Sequence, residues 1–155
     1  MTATKKLLVQ SIAFGNNGHI PQQYTCEGDN ISPAIEIADI PEEAKTLAII
    51  MEDPDAPSGV FTHWLVWNLP VTDVIMEKSN EGISGMNDFG KTGYGGPCPP
   101  SGTHRYYFKI YALDKELSVS AGENKKALLE AMDGHILASG ELMGRYRKGT
   151  VRSHA

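Results

Sequence analysis

The sequence predicts a mainly β, mostly antiparallel domain with a helical appendage towards its C-terminal end. Three apolar runs read as strands: Thr46–Met51 leading into Glu52-Asp53, His63–Leu69 and His104–Leu113. Glycine and proline recur through the first 105 residues, as short strands joined by turns require. Helical patterning appears only from Lys125 onward.

In the first run Leu47, Ile49, Met51 and Asp53 share one face, because positions i and i+2 of a strand point the same way. The second run sets His63, Leu65, Trp67 and Leu69 against Trp64, Val66 and Asn68. The third sets His104, Tyr106, Phe108, Ile110 and Ala112, the core-facing set, against Arg105, Tyr107, Lys109, Tyr111 and Leu113. Both histidines thus stand at a strand end, on a face that turns apolar further in. Asp53 ends a similar set, so the pattern describes a polar mouth over an apolar floor. Lys125–Met132 reads as a helix with Asn124 as its N-cap. Asp133-Gly134 breaks that pattern, and Asp133 is placed to cap a second helix carrying Ile136, Leu137, Leu142 and Met143, with Gly144 ending it.

A chain of 155 residues predicts one domain, 1–155, able to bury its own core. Its charge of 14 minus 19, or −5, argues against general nucleic-acid binding, which needs a basic surface to displace counterions. Arg145, Arg147, Lys148 and Arg152 crowd the C-terminus and read as a solvated tail beyond a helix. Lys5 and Lys6 precede only Leu7-Leu8-Val9, too short an apolar run for a signal peptide, and no segment approaches the roughly 20 apolar residues of a bilayer span. A cytoplasmic location is therefore expected. Cys26 and Cys98 are too few for a disulfide framework and form no Cys-x-x-Cys. Reduced, packed thiols are the expectation, with a single bridge as the alternative.

The chemistry concentrates in Asp53-Pro54-Asp55-Ala56-Pro57, His63-Trp64 and Gly93–Tyr106. Pro54 removes a ladder donor between the two acids, so they stand at a strand end. There they serve either a turn, bonding nearby amides, or a rigid polar rim. Singly, each histidine reads as a packed or capping residue. Together with the acids they fit a zinc or iron site, although no His-x-His or His-x3-His spacing supports one. They also fit an anion pocket in which His63, His104, Tyr106 and the amides of Tyr94-Gly95-Gly96 surround an oxyanion. Nucleophilic chemistry has little support. Gly82-Ile83-Ser84-Gly85-Met86 lacks the last glycine of a nucleophile elbow, and proline flanks Cys98 on both sides. Gly93–Cys98 is neither a dinucleotide fingerprint nor a phosphate-binding P-loop.

Asp53-Pro54-Asp55-Ala56-Pro57, His63-Trp64 with Asn68, and Gly96-Pro97 followed by His104-Arg105-Tyr106 resemble the phosphatidylethanolamine-binding protein family. Within it, Tyr24–Pro33 and the segments Gly134–Ala138 and Glu141–Tyr146 look like the signatures of the bacterial and archaeal Raf-kinase-inhibitor-like branch. The resemblance covers nearly the whole chain. It implies two packed antiparallel β-sheets with short C-terminal helices, and a small anion cavity lined by Asp53, Asp55, Pro57, His63, Gly96, Pro97, His104 and Tyr106. It also implies a cis Ala56–Pro57 bond and a homodimer. No cofactor or metal is expected. The expected ligand is phosphate or phosphoethanolamine and the expected activity is non-enzymatic binding, with a partner kinase or protease regulated by it. The rival is a hydrolase of a small phosphoester or ester with a pocket histidine as base. Because two carboxylates facing a phosphate repel it, the pocket is expected to take up protons, with Asp53 and Asp55 sharing one and a histidine charged.

Overall fold

The computed structural model describes residues 5–149. Ten strands occur among them: β1 (Lys5–Lys6), β2 (Leu8–Gln10), β3 (Gly18–His19), β4 (Ile35–Ala38), β5 (Thr46–Asp53), β6 (Phe61–Leu69), β7 (Val74–Ile75), β8 (Ile83–Ser84), β9 (Thr103–Leu113) and β10 (Ile136–Arg147). One α-helix, α1 (Lys125–Met132), lies between β9 and β10. The larger sheet runs β1-β10-β9-β5-β6-β8, with β3 also beside β10, and the smaller runs β2-β4-β7. The long central ladders are antiparallel, and only the two-residue strands β1 and β3 join β10 in parallel. No helix among the described residues is long and apolar enough to cross a membrane.

The large sheet buries both faces. One face of β5 and β9, bearing Leu47, Ile49, Met51, Phe108 and Ile110, packs with Ile35, Ile37 and Ile75 of the small sheet. The other carries Ala48, Ile50, Leu65 and Trp67 under Leu128 and Met132 of α1. The helix begins where the sequence says it should: Ala127 N–H donates to Asn124 Oδ1 at 2.9 Å, satisfying an amide that the first turn would leave unpaired.

The predicted second helix does not exist. Residues 136–147 form β10, paired with β9 from Ile136 to Arg147. Its inward positions carry Ala138, Leu142, Gly144 and Tyr146, and small residues there hide the period of two from a hydrophobicity reading. They are small because other chain segments sit on them. A Cβ on Gly140 would lie 2.3 Å from the Leu7 carbonyl oxygen, and one on Gly144 would lie 2.5 Å from Ile20. Arg145 and Arg147 accordingly belong to a strand and not to a tail, with Arg145 Nε donating to Asn17 Oδ1 at 2.9 Å. Arg152 lies outside the described residues.

Strand β6 departs from simple alternation at both ends. Against β5, Met51 pairs with Trp64 but Glu52 pairs with Thr62, so His63 is an extra residue. A second irregularity separates the Ile49–Val66 pair from Leu47–Leu69, with Trp67 and Asn68 opposite Ala48. Each bulge reverses the phase of the side chains beyond it. Leu65 and Trp67 therefore face α1, whereas Leu69 returns to the inter-sheet core. The expected grouping of His63, Leu65, Trp67 and Leu69 is broken by these two bulges.

Asn68 holds the second bulge. Its φ is 56°, a left-handed conformation that asparagine tolerates better than most residues. Its side chain donates to Leu117 O at 3.0 Å and accepts from Leu117 N–H at 2.8 Å. Asn68→Ala loses both bonds and places a Cβ-bearing residue without polar compensation in the same conformation. A loss of about 3 kcal/mol is expected from roughly 1 kcal/mol per bond plus the left-handed penalty, to be read as a lower urea midpoint at unchanged slope.

Candidate functional site

At the end of the central strands, the face that is apolar along most of its length becomes polar. Asp53 closes β5, and His104 and Tyr106 open β9 on the same side. The bulge in β6 turns His63 to this side as well, where its ring meets Tyr106 edge-on at 5.2 Å between centroids. Without the extra residue His63 would point towards α1. These four side chains are each at most 7% exposed. They surround a cavity of about 200 Å³ that is also walled by Ala56, Pro57, Ser58, Phe61, Phe89, Cys98, Pro99 and Pro100.

Two carbonyl and carboxylate contacts fix the imidazoles. His63 Nδ1 lies 2.7 Å from Gly95 O, and since a carbonyl can only accept, Nδ1 carries the hydrogen. His104 Nδ1 lies 2.6 Å from Asp53 Oδ2 and donates to the carboxylate. In each ring Nε2 is then the nitrogen left to gain or lose a proton. Burial pushes the His63 pKa below its usual value, against the opposing pull of the Gly95 carbonyl and the Asp53 charge. The ring is thus neutral at pH 7.

Tyr106 lies between the two histidines, fully buried. Its hydroxyl makes no hydrogen bond in the protein. The Cys98 N–H points towards its oxygen, too loosely to form a full hydrogen bond but enough to favour the ionised form; burial and the Asp53 charge outweigh it and raise the pKa, so the group is a neutral O–H donor without an acceptor. A buried hydroxyl without a partner is costly, commonly about 1–3 kcal/mol. Here it borders a cavity that can hold one.

The two acids, adjacent in the motif, do different work. Asp53 Oδ1 accepts the Asp55 N–H at 2.7 Å while Oδ2 holds His104. Asp55 does not line the cavity. It is gripped by Arg105 through Nε at 2.9 Å, Nη2 at 2.8 Å and the backbone N–H at 2.9 Å. Those hydrogen bonds pull the Asp55 pKa from 3.8 to about 2, so it is ionised and not half of a shared-proton pair. Gly96 and Pro97 also stand behind the wall. A Cβ on Gly96 would be 2.3 Å from Tyr24 O, and the Gly96 N–H donates to Asn30 Oδ1 at 2.9 Å. Pro97 O accepts from Cys26 N–H at 3.1 Å.

Of the eight site residues expected from the sequence, the structure brings five to the cavity: Asp53, Pro57, His63, His104 and Tyr106. The aromatic wall, Phe61 and Phe89, was missed. Phe61 begins β6 within reach of the motif, but Phe89 lies in a turn segment with no periodicity to mark it. Two further expectations are corrected. No cis peptide occurs among the described residues, so Ala56–Pro57 is trans. The chain folds back through two hydrogen bonds instead, Asp55 N–H to Asp53 Oδ1 and Gly59 N–H to Ala56 O at 3.1 Å. Cys26 and Cys98 are joined as a disulfide and are not free thiols. The turn at 22–28 and the Pro97 carbonyl hold the two residues together, a proximity that their separation of 72 positions does not reveal.

A two-sheet β fold with a small buried cavity at the end of its central strands defines a ligand-binding class of domain. The family model for phosphatidylethanolamine-binding protein matches residues 10–147, and the chain belongs to that family. It is 48% identical over 145 residues to the UPF0098 protein of Methanothermobacter thermautotrophicus, covering 88% of this chain and 96% of that one. The crystal structure of a phosphatidylethanolamine-binding protein homologue from Chlamydia trachomatis superposes with a TM-score of 0.89 at 45% identity, over 94% of this chain and 99% of its own. The YbcL structure from E. coli, described as a member of the mammalian family, gives 0.84 at 27% identity over 92% and 98%.

The Asp55 clamp makes a pH prediction. A folded-state pKa below the unfolded value stabilises the fold above about pH 4, and that contribution is lost as pH falls towards 2. NMR titration of the Asp55 carboxyl should give a midpoint near 2, returning towards 3.8 in Arg105→Met. In the same experiment the His63 ring should titrate below the ordinary 6.5.

Proposed function

We propose that the protein binds a small oxyanion in this cavity, either inorganic phosphate or the phosphate end of a headgroup such as phosphoethanolamine, without turning it over. The observation that carries this is the Tyr106 hydroxyl, a buried donor with no partner, set between two imidazoles whose Nδ1 atoms are already engaged. Size supports it. A cavity of about 200 Å³ corresponds to six or seven waters at roughly 30 Å³ each, room for a phosphate and little more. Phe61, Phe89 and the prolines at the mouth suit the methylenes of a phosphoester such as phosphoethanolamine, whose ammonium would then lie beyond them in solvent.

A phosphate dianion beside Asp53 meets repulsion of about 4 kcal/mol for each pair of unit charges 4 Å apart at an effective dielectric of 20. One proton offsets it. It either charges His63 at Nε2 or stays on the ligand, whose second pKa is about 6 when it is a phosphoester, and is donated to the neutral ring. Both routes take up a proton on binding, so affinity rises as pH falls from about 8 to about 6. In this proposal the liganded protein regulates a partner kinase or protease and acts as a homodimer. Light scattering distinguishes one chain from two.

A second reading, hydrolysis of a small phosphoester or ester, is favoured by the Asp53–His104 pair. A carboxylate that orients Nδ1 and leaves Nε2 towards the cavity is the base-and-orienter half of a hydrolytic triad. Turnover of p-nitrophenyl phosphate or acetate that His104→Ala abolishes would establish it over simple binding.

Tyr106→Phe separates stability from binding. Removing an unpartnered buried hydroxyl should leave the unliganded protein as stable or about 1 kcal/mol more so. Phosphate and phosphoethanolamine should bind roughly tenfold more weakly by calorimetry, the worth of one hydrogen bond to a charged group. Undiminished affinity in this variant, or affinity indifferent to pH, would remove the anion reading.

A further inference from the structure

We propose that the Cys26–Cys98 disulfide is a redox-operated latch on this cavity, holding its Cys98–Pro100 wall in place when oxidised and releasing it when a dithiol reduces it. The proposal rests on reading the cavity as a ligand site, but not on which ligand fills it.

Residues 93–102 contain no helix or strand, so their position depends on individual contacts. Up to Pro97 these are plentiful. Tyr94 Oη donates to Tyr24 O at 2.7 Å, Gly95 N–H to His63 O at 3.0 Å and Gly96 N–H to Asn30 Oδ1 at 2.9 Å. Beyond Cys98 they stop. Pro99 and Pro100 have no N–H, and among the described residues 99–102 make no hydrogen bond before Thr103 enters the ladder opposite Arg147. Yet Cys98, Pro99 and Pro100 wall the cavity, and the Cys98 amide acts on the Tyr106 hydroxyl. The disulfide is the one covalent tie from this wall to the body of the protein outside its own chain path.

The other end of the tie is a fixed post. Thr25 Oγ1 donates to Gln22 O at 2.8 Å and accepts from Glu27 N–H at 3.2 Å. Glu27 in turn accepts from the Tyr146 hydroxyl at the end of β10 and from Gly149 N–H. Releasing the bridge therefore frees the wall and leaves the post where it is.

The bridge is also reachable. Cys26 is exposed and Cys98 partly so. A thiolate of the dithiol attacks the Cys26 sulfur, forming a mixed disulfide and expelling Cys98 as a thiolate that takes a proton. The second thiol of the reductant then closes its own disulfide and releases Cys26 as a thiol. Two electrons and two protons pass from reductant to protein. Exposed bridges are the ones such exchange reaches most readily.

The test compares the oxidised protein, the dithiothreitol-reduced protein and the Cys26→Ser/Cys98→Ser variant by amide hydrogen exchange, and by calorimetry with inorganic phosphate. Reduction should speed exchange at the Cys26 amide, which the wall holds through the Pro97 carbonyl at 3.1 Å, at least tenfold while Leu47–Met51 and Phe108–Leu113 stay protected. Phosphate affinity should fall several-fold with it. The double variant should match the reduced protein and ignore dithiothreitol. Unchanged exchange at the Cys26 amide overturns the latch. So does loss of protection throughout, which would make the bridge a staple of the whole fold, and so, where the oxidised protein binds phosphate, does a loosened wall that leaves that affinity unchanged. If the oxidised protein ignores phosphate but the wall alone loosens on reduction, the latch stands and the anion reading falls.

Discussion

A carboxylate taken out of water must be met by hydrogen bonds, and Asp53 organises one end of the molecule by that requirement. It is 3% exposed. Its two oxygens are satisfied from two directions, by the His104 ring at the start of β9 and by the Asp55 amide at the exit from β5. The first bond orients an imidazole towards the cavity. The second bends the chain so that Pro57 and Ser58 reach the mouth. Removing the Asp53 carboxylate would leave His104 without its orienting acceptor and the turn without its anchor, which is why cavity, turn and strand ends form one unit.

Much of this was legible from alternation. Leu47, Ile49, Met51 and Asp53 share a face as expected, and so do His104, Tyr106, Phe108 and Ile110. Paired at their ends, β5 and β9 place an acid, an imidazole and a phenol together with no help from loops. His63 reaches the cavity by a route that alternation does not supply. Alternation puts it with Leu65 and Trp67, which face α1, and only the bulge brings it round. Such an extra residue costs nothing in composition and leaves no trace in hydrophobic pattern, so its position depends on the partner strand.

The failure at β10 has a different origin. A strand is recognised by large inward residues, and β10 places glycine and alanine where Leu7, Phe14 and Ile20 lie against it. The inward face is buried all the same, but the bulk that buries it belongs to other segments. The disulfide was hidden in a similar way. Its cysteines are brought together by a backbone bond from Cys26 to Pro97 and by a tight turn whose Gly28 has no room for a Cβ, 2.4 Å from Gln22 O. Long-range packing of this kind is decided in three dimensions, where a linear reading carries only motifs.

The difference between Asp53 and Asp55 also changes how an acid-bearing site can receive an anion. Equal spacing suggested two carboxylates sharing a proton. Pro54 and the turn after it instead send them to opposite environments, one desolvated against an imidazole and one at the surface in the fork of Arg105. The Asp55 charge is matched outside the cavity by a guanidinium. The Asp53 charge is committed to His104. What remains adjustable is the imidazole proton of His63, whose pKa burial holds low and which a negative charge nearby would raise. For the anion binding proposed above, proton uptake would fall to the bulged histidine and not to the carboxyl pair, so the bulge in β6 that turns His63 to the cavity is the feature on which that chemistry depends.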